Sequence, residues 1–136
     1  MGGPMTTAAA EVAVGRKKIL IVDDSKTTLF LEAMILKNGP YDLFTASNGQ
    51  EAVEKAVACR PDLILMDVVM PKMTGFEACR ELRQRDEAQG IPIILVTTRG
   101  EAENVECGFE NGCSDYITKP INGLELLSKV KDHLGE

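Results

Sequence analysis

Several features that mark other protein classes are scarce in this chain of 136 residues. It has no tryptophan and one histidine, and aromatic residues make up 4% of it. The aromatic and hydroxyl-rich loops of a flavin site are therefore hard to find, although a flavin protein stays an alternative that a colourless preparation would exclude. Lysine and arginine number 15 against 21 acidic residues, for a formal net charge of -6. The chain therefore lacks the basic excess of a nucleic-acid-binding surface, and no direct nucleic-acid partner is predicted.

Metal-binding and disulfide patterns of cysteine are also lacking. The four cysteines form no CxxC pair, and His133 lies far from all of them in sequence. A zinc site is therefore not predicted. A chain of this length can bury a sizeable core without disulfides, so we expect free thiols and a reducing, cytoplasmic compartment.

Long apolar runs are missing as well. None approaches the 18 residues of a transmembrane helix, and no basic segment precedes an apolar core at the N-terminus, so neither membrane insertion nor a signal peptide is predicted. Residues 1–16 are small and rich in Gly and Ala. We expect a flexible leader there, part of which, MGGP before Met5, is interpreted as a cloning remnant. Residues 17–136 are expected to form one domain.

What the chain does contain is an alternation of short apolar runs with helical patterns. Strands are predicted at 18–22, 41–46, 62–66, 91–96 and 115–118. A helical pattern follows each of them, the first over 25–38 and the fourth over about 100–111. Alternating strands and helices with right-handed crossovers give a parallel sheet covered on both faces. We predict a flavodoxin-like, doubly wound α/β fold with five helices and a five-stranded parallel sheet in the order 2-1-3-4-5.

Capping patterns predict where the helices begin and end. The predicted N-terminal caps are Asp24 or Ser25, the pair Ser47 and Gln50, the pair Thr74 and Glu77, and the pair Asn122 and Glu125. Asn38 is expected to end the first helix in the left-handed conformation. The last helix is expected to bury Leu124, Leu127, Val130 and Leu134.

Four of the predicted strands end in residues that suit phosphoryl chemistry. Asp23 and Asp24 follow the first strand, Asp67 the third, Thr97 the fourth and Lys119 the fifth. In an open parallel sheet these ends converge on one crevice. Crowded carboxylates repel one another, and a bound Mg²⁺ removes that repulsion. A carboxylate can also act as a nucleophile toward phosphorus. The Lys119 ammonium and the Thr97 hydroxyl can stabilise the phosphoryl oxygens. The pattern therefore predicts a switch that becomes phosphorylated on Asp67.

Each of these residues also has an ordinary structural interpretation. Asp24 could equally cap the following helix, Thr97 could be a simple β-former, and Lys119 could be solvated. Their occurrence together and in this order favours the functional interpretation. His133 is interpreted as a surface residue rather than a phosphodonor.

Four segments resemble, in order and spacing, the receiver domain of two-component response regulators: ILIVDDS (19–25), DLILMDVVMPKMTG (62–75), PIILVTT (92–98) and SDYITKP (114–120). The resemblance covers 17 to about 135. It implies a bacterial phosphorelay protein that takes a phosphoryl group from a sensor histidine kinase or phosphotransfer protein. It also implies a regulatory domain rather than an enzyme, with only Mg²⁺-dependent self-phosphorylation and slow self-dephosphorylation.

The resemblance assigns a role to each matching position. Asp67 matches the phosphoacceptor, which binds Mg²⁺ together with Asp23, Asp24 and the backbone carbonyl of Val69. By the same match, Thr97 is the switch hydroxyl, Tyr116 the switch aromatic and Lys119 the partner of the phosphoryl group, with a cis bond before Pro120. The implied output is a changed surface of the fourth helix, fifth strand and fifth helix that binds a downstream protein effector. A monomer or a weak phosphorylation-dependent dimer is expected.

Departures from the family pattern occur around the mouth of the expected site. Val69 cannot orient an attacking water, Thr98 adds bulk, and Arg99 could reach over the phosphoryl group. These residues predict slow self-dephosphorylation.

Alternatives stay open at this point. The chain could be a phosphorylation-independent receiver-like interaction module, although all five site residues are present. A hydrolase of the haloacid dehalogenase type would need a DxD motif where this chain has DDS. The chain could be a stand-alone regulator or a receiver excised from a longer protein, and its cognate kinase and effector are not encoded in these patterns.

Overall fold

A computed structural model describes residues 16–98 and 102–136 of the chain. Within them the strands are β1 (Lys17–Val22), β2 (Tyr41–Ala46), β3 (Leu63–Asp67), β4 (Ile93–Thr98) and β5 (Asp115–Lys119). The helices are α1 (Lys26–Leu36), α2 (Gly49–Cys59), α3 (Gly75–Arg83), α4 (Ala102–Glu110) and α5 (Gly123–Leu134). Nearly all of the predicted leader, and the predicted start of the fourth helix, lie outside the described residues.

The five strands form one parallel sheet in the order β2-β1-β3-β4-β5. This confirms the predicted flavodoxin-like, doubly wound fold. All five residues of β3 are buried, as its continuous apolar run requires of a central strand covered on both faces. The order places β1 and β3 side by side, so the acids at their ends become neighbours.

Alternation along the strands divides the core into two layers. Ile19 and Ile21 pack with residues of α1 and α5, whereas Leu20 and Val22 pack with residues of α2 and α3. Since successive side chains of a strand point to opposite faces, one apolar run serves both layers. No described helix is long and apolar enough to span a lipid bilayer.

Two strands are shifted toward the C-terminus relative to the prediction. β3 begins at Leu63, and the preceding Asp62 accepts from the Lys18 backbone N–H on its side-chain Oδ2 over 2.7 Å while its own N–H donates to the Lys18 carbonyl over 2.8 Å. β4 begins at Ile93, after Pro92, which has no N–H to give to a strand ladder. As a result Asp67 and Thr97 are the last and next-to-last residues of their strands.

The capping predictions are partly wrong. Ser25 caps α1, and Thr74 with Glu77 forms the predicted capping box of α3. The predicted Ser47 and Gln50 box does not form. Asn48 instead caps α2 by accepting from the Glu51 N–H, and Glu51 Oε1 accepts from the backbone and hydroxyl of Ser47. The Glu51 carboxylate, one position after Gln50, accepts from both Ser47 donors.

Two further predictions are wrong, one about the end of α1 and one about the buried face of α5. Asn38 is not left-handed, because α1 already ends at Leu36, whose carbonyl accepts from the Gly39 N–H. Leu124 is 81% exposed. α5 instead buries Leu126 and Val130, one turn apart, while Leu127 and Leu134 are partly buried against the same core.

Candidate functional site

Three carboxylates meet where β1 and β3 end. Asp23 and Asp24 follow β1, Asp67 closes β3, and one carboxylate oxygen from each lies within 4.8 Å of the others. Asp23 and Asp67 are buried, 1% and 7% exposed, whereas Asp24 is exposed. The cluster therefore has two acids inside the crevice and one at its mouth.

Lys119 brings a positive charge to this cluster from the end of β5. Its Nζ lies 3.4 Å from Asp67 Oδ1 and 3.6 Å from Asp23 Oδ2. At 3.6 Å the contact with Asp23 is an ion pair rather than a hydrogen bond, and Asp23 Oδ2 has no hydrogen-bond partner among the described residues. Asp23 Oδ1 accepts from the Ser25 N–H over 2.8 Å, which orients that carboxylate at the start of α1.

The negative charges of the carboxylates are only partly balanced by the positive charge of Lys119. Burial, together with the negative charge of Asp23, raises the pKa of Asp67 to about 6 against the opposing effect of Lys119. Burial lowers the pKa of Lys119, but attraction to Asp67 and Asp23 outweighs it and leaves that pKa raised. An oxygen-only donor set with one unpartnered buried oxygen fits a hard divalent cation such as Mg²⁺.

A glycine holds the loop after β3 against this cluster. The Gly75 N–H donates to the carbonyl of Val68 over 2.8 Å, and a Cβ added at Gly75 would collide with the carbonyl oxygen of Asp67. Asp67 Oδ1 also accepts from the Val68 N–H over 3.0 Å. These contacts fix the loop that carries Val69 next to the Asp67 carboxylate. Val69 itself is 71% exposed.

Thr97 and Tyr116 lie on the same face of the sheet. In the β4–β5 register Thr97 pairs with Thr118 and Leu95 with Tyr116, so the two side chains are one strand and two residues apart. Thr97 is 3% exposed. The Tyr116 ring meets Phe109 of α4 edge to face, with centroids 6.2 Å apart, and Lys129 Nζ of α5 lies 4.9 Å from its centroid. The ring thus contacts the helices on both sides of β5.

The structure places the other predicted residues as follows. The Lys119–Pro120 bond is cis. Thr98 is exposed next to the site, and Arg99 lies outside the described residues. His133 Nε2 is 3.0 Å from Asp115 Oδ2, at the opposite end of β5 from Lys119. That position separates His133 from the acid cluster.

Glu32 is a residue near the site that the sequence analysis missed. It lies on α1, is 1% exposed, and its Oε1 has no hydrogen-bond partner in the described part of the chain. Burial raises its pKa to about 8, helped by the negative charges of Asp23 and Asp67 and opposed by Lys119. The available signal was a single acid within the apolar run LFLEAMIL (29–36).

Comparison with known proteins identifies the class. The sequence model of the response regulator receiver domain matches residues 19–131, and the chain belongs to that family. It is 41% identical over 114 residues to protein PilH of Pseudomonas aeruginosa. That match covers 83% of this chain and 93% of PilH. It is 42% identical over 115 residues to the alkaline phosphatase synthesis transcriptional regulatory protein PhoP of Bacillus subtilis. That match covers 85% of this chain but 47% of PhoP, so the chain spans about half the length of that relative.

A solved structure resembles the whole fold. The receiver domain of the sensor histidine kinase PA1611 from Pseudomonas aeruginosa, with a magnesium ion coordinated in its active-site cleft, matches with a TM-score of 0.83 at 29% identity. The match covers 90% of this chain and all of that one. The chain is therefore a regulatory receiver domain of two-component signalling, a class that works with histidine kinases, and not a classical enzyme.

Proposed function

We propose that Asp67 accepts a phosphoryl group from a sensor histidine kinase or a phosphotransfer protein. The observation that carries the proposal is the cluster of three carboxylates within 4.8 Å, with the Lys119 ammonium 3.4 Å from Asp67 Oδ1. Asp23, Asp24, Asp67 and the backbone carbonyl of Val69 would hold Mg²⁺. The unit that acts is residues 17–136, in the cytoplasm, as a monomer or a weak phosphorylation-dependent dimer.

The proposed transfer forms one bond and breaks another. A carboxylate oxygen of Asp67 attacks phosphorus, the P–N bond to the donor imidazole breaks, and the departing nitrogen keeps the electron pair. Lys119 compensates negative charge on the equatorial phosphoryl oxygens, and the Thr97 hydroxyl donates a hydrogen bond to one of them. Mg²⁺ held at this site would supply further positive charge to the phosphoryl group.

The proposed output follows from the positions of Thr97 and Tyr116. A phosphoryl group on Asp67 draws the Thr97 hydroxyl toward it, which changes the space available to the Tyr116 ring on the same face. Since that ring contacts Phe109 and Lys129, its rearrangement alters the surface of α4, β5 and α5. This surface would bind a downstream protein effector.

Intact-mass measurement tests the proposal directly. The protein is mixed with Mg²⁺ and a small phosphodonor such as acetyl phosphate, and a gain of one phosphoryl group is expected. Omitting Mg²⁺ and adding a chelator should suppress the gain. A mass that stays unchanged under all conditions would support the alternative, a phosphorylation-independent interaction module.

Thr97→Ala is expected to separate phosphorylation from switching. Asp67, Lys119 and the metal ligands remain, so phosphoryl uptake should continue. The lost hydrogen bond to a charged group corresponds to a shift of about tenfold to a hundredfold in the switch equilibrium. The NMR resonances of Tyr116 should therefore respond weakly to phosphorylation.

Thr98→Ala is the matched control for this variant, because it makes the same chemical change at the next, exposed position. Its Tyr116 resonances should shift on phosphorylation as in the wild type. An undiminished Tyr116 response in Thr97→Ala would refute the proposed coupling.

Val69→Asn is expected to shorten the lifetime of the phosphorylated state several-fold. The exposed Val69 offers no polar group to hold a water in line with phosphorus, whereas an amide there could orient one. Decay is measured by mass after the phosphodonor is removed. Val69→Ala serves as the control, since it reduces bulk without adding a polar group and should decay close to the wild-type rate. Equal rates in wild type and Val69→Asn would show that this position does not control hydrolysis.

A further inference from the structure

An apolar cleft of about 570 Å³ lies between α1 and the segment that follows β5. Its walls include Leu31 and Ile35 of α1 and Ile121 after the cis proline, and Met34 at its edge is 44% exposed. The volume falls within the range of small-molecule sites in proteins, which combine apolar walls with a few polar groups. The cleft therefore has the size and the lining of a ligand site.

The wall of the cleft also includes a buried carboxyl, one oxygen of which lacks a hydrogen-bond partner among the described residues. Glu32 lines it and is 1% exposed, yet its Oε1 makes no hydrogen bond within the described residues. Glu32 takes part in none of the ion pairs found among the described residues. Leaving a buried polar atom unpaired destabilises the folded protein. A ligand that donates a hydrogen bond to Glu32 would remove this penalty.

The charges around the cleft decide which head group suits it. Lys119 lines the same cleft, but the negative charge of Asp23 outweighs its effect on Glu32. An anion would meet the negative charges of Asp23 and Asp67, with which Lys119 already pairs. An uncharged head avoids the repulsion between an anion and these acids, and it avoids the desolvation cost of burying an ion of either sign.

Hydrogen-bonding capacity narrows the choice further. Glu32 is buried and forms no ion pair within the described residues, which favours its protonated carboxyl with one O–H donor and one acceptor side by side. A primary amide presents the complementary acceptor and donor in one plane. We propose that this cleft binds a small uncharged molecule with an apolar body that packs on Leu31, Ile35 and Ile121 and a primary amide that pairs with Glu32.

Hexanamide is a suitable probe, and NMR titration of the full chain measures its binding. A dissociation constant on the order of 1 mM is expected for a ligand of this size. The resonances of Leu31, Ile35 and Ile121 should move, while those of the α2 and α3 layer stay in place. Hexylamine and hexanoate, which keep the apolar body but carry charge, should bind at least about tenfold more weakly.

Two variants test the role of Glu32. Glu32→Leu removes the polar group and should weaken hexanamide binding at least about tenfold, with a fold verified by its circular dichroism melt. Glu32→Gln keeps a donor and an acceptor in place and should bind within a few-fold of the wild type.

Three results would overturn the inference: no shift at millimolar hexanamide, equal affinity in Glu32→Leu, or tighter binding of either charged analogue. No phosphodonor or Mg²⁺ is present in these titrations. Their outcome is therefore independent of whether Asp67 accepts phosphate.

Discussion

Asp67→Asn is expected to abolish phosphoryl uptake, lowering its rate by about three orders of magnitude or more. The amide keeps the shape of the side chain but is a far weaker nucleophile than a carboxylate. It also removes the charge that faces Lys119 Nζ at 3.4 Å. Intact-mass analysis after mixing with Mg²⁺ and acetyl phosphate measures the change, and the purified variant should keep the wild-type fold.

Asp62→Asn is the matched control for this prediction. It makes the same chemical change at the other end of the same central strand, where Asp62 accepts a backbone hydrogen bond that an asparagine oxygen can also accept. Uptake at the wild-type rate is expected. If Asp67→Asn instead gained phosphate as fast as the wild type, the acceptor would be another residue and the proposed role of Asp67 would be lost.

Asp24→Ala is expected to weaken Mg²⁺ binding by about a hundredfold or more and to slow phosphorylation accordingly. Asp24 is the exposed acid of the cluster, so its removal takes one carboxylate ligand from the mouth without disturbing the core. Helix α1 should persist because Ser25, not Asp24, caps it. Relief of repulsion among the acids should slightly stabilise the metal-free protein.

Isothermal titration calorimetry with Mg²⁺ measures the affinity, and thermal melts without metal measure the stability. Asp86→Ala makes the same substitution at an exposed position after α3 and should leave Mg²⁺ affinity unchanged. An Asp24→Ala protein that binds Mg²⁺ as tightly as the wild type would remove Asp24 from the proposed ligand set.

The architecture could be predicted because its signals are redundant. Each strand is a short apolar run and each is followed by a helical pattern, so an error in one element leaves the order of the others intact. The position of the acid cluster followed from the same order, since the ends of β1 and β3 are adjacent in a sheet of this topology. The functional roles of these residues are not decided by their positions and stay predictions.

What could not be predicted depends on contacts between side chains. The cap of α2 depends on whether Ser47 or Asn48 accepts a backbone N–H of the first turn, and each is followed three residues later by a side chain that fits a capping pattern. Leu124 has the right spacing for the core, but the packing of α5 buries Leu126 instead. An acid such as Glu32 in a helical pattern is usually expected to be exposed. Its burial results from the packing of α1 beside the end of β5.

The order of the site residues along the chain has a consequence for protein synthesis. Asp23, Asp24 and Asp67 leave the ribosome before Lys119, and all of β4 and α4 lie between Asp67 and that lysine. Until β5 is made, β1 and β3 can pair only with Asp23 and Asp67 close together and without Lys119 beside them. Repulsion between those acids opposes early docking of the strands. The nascent chain should therefore complete its sheet only after β5 has emerged, so that partly made chains expose unpaired strand edges.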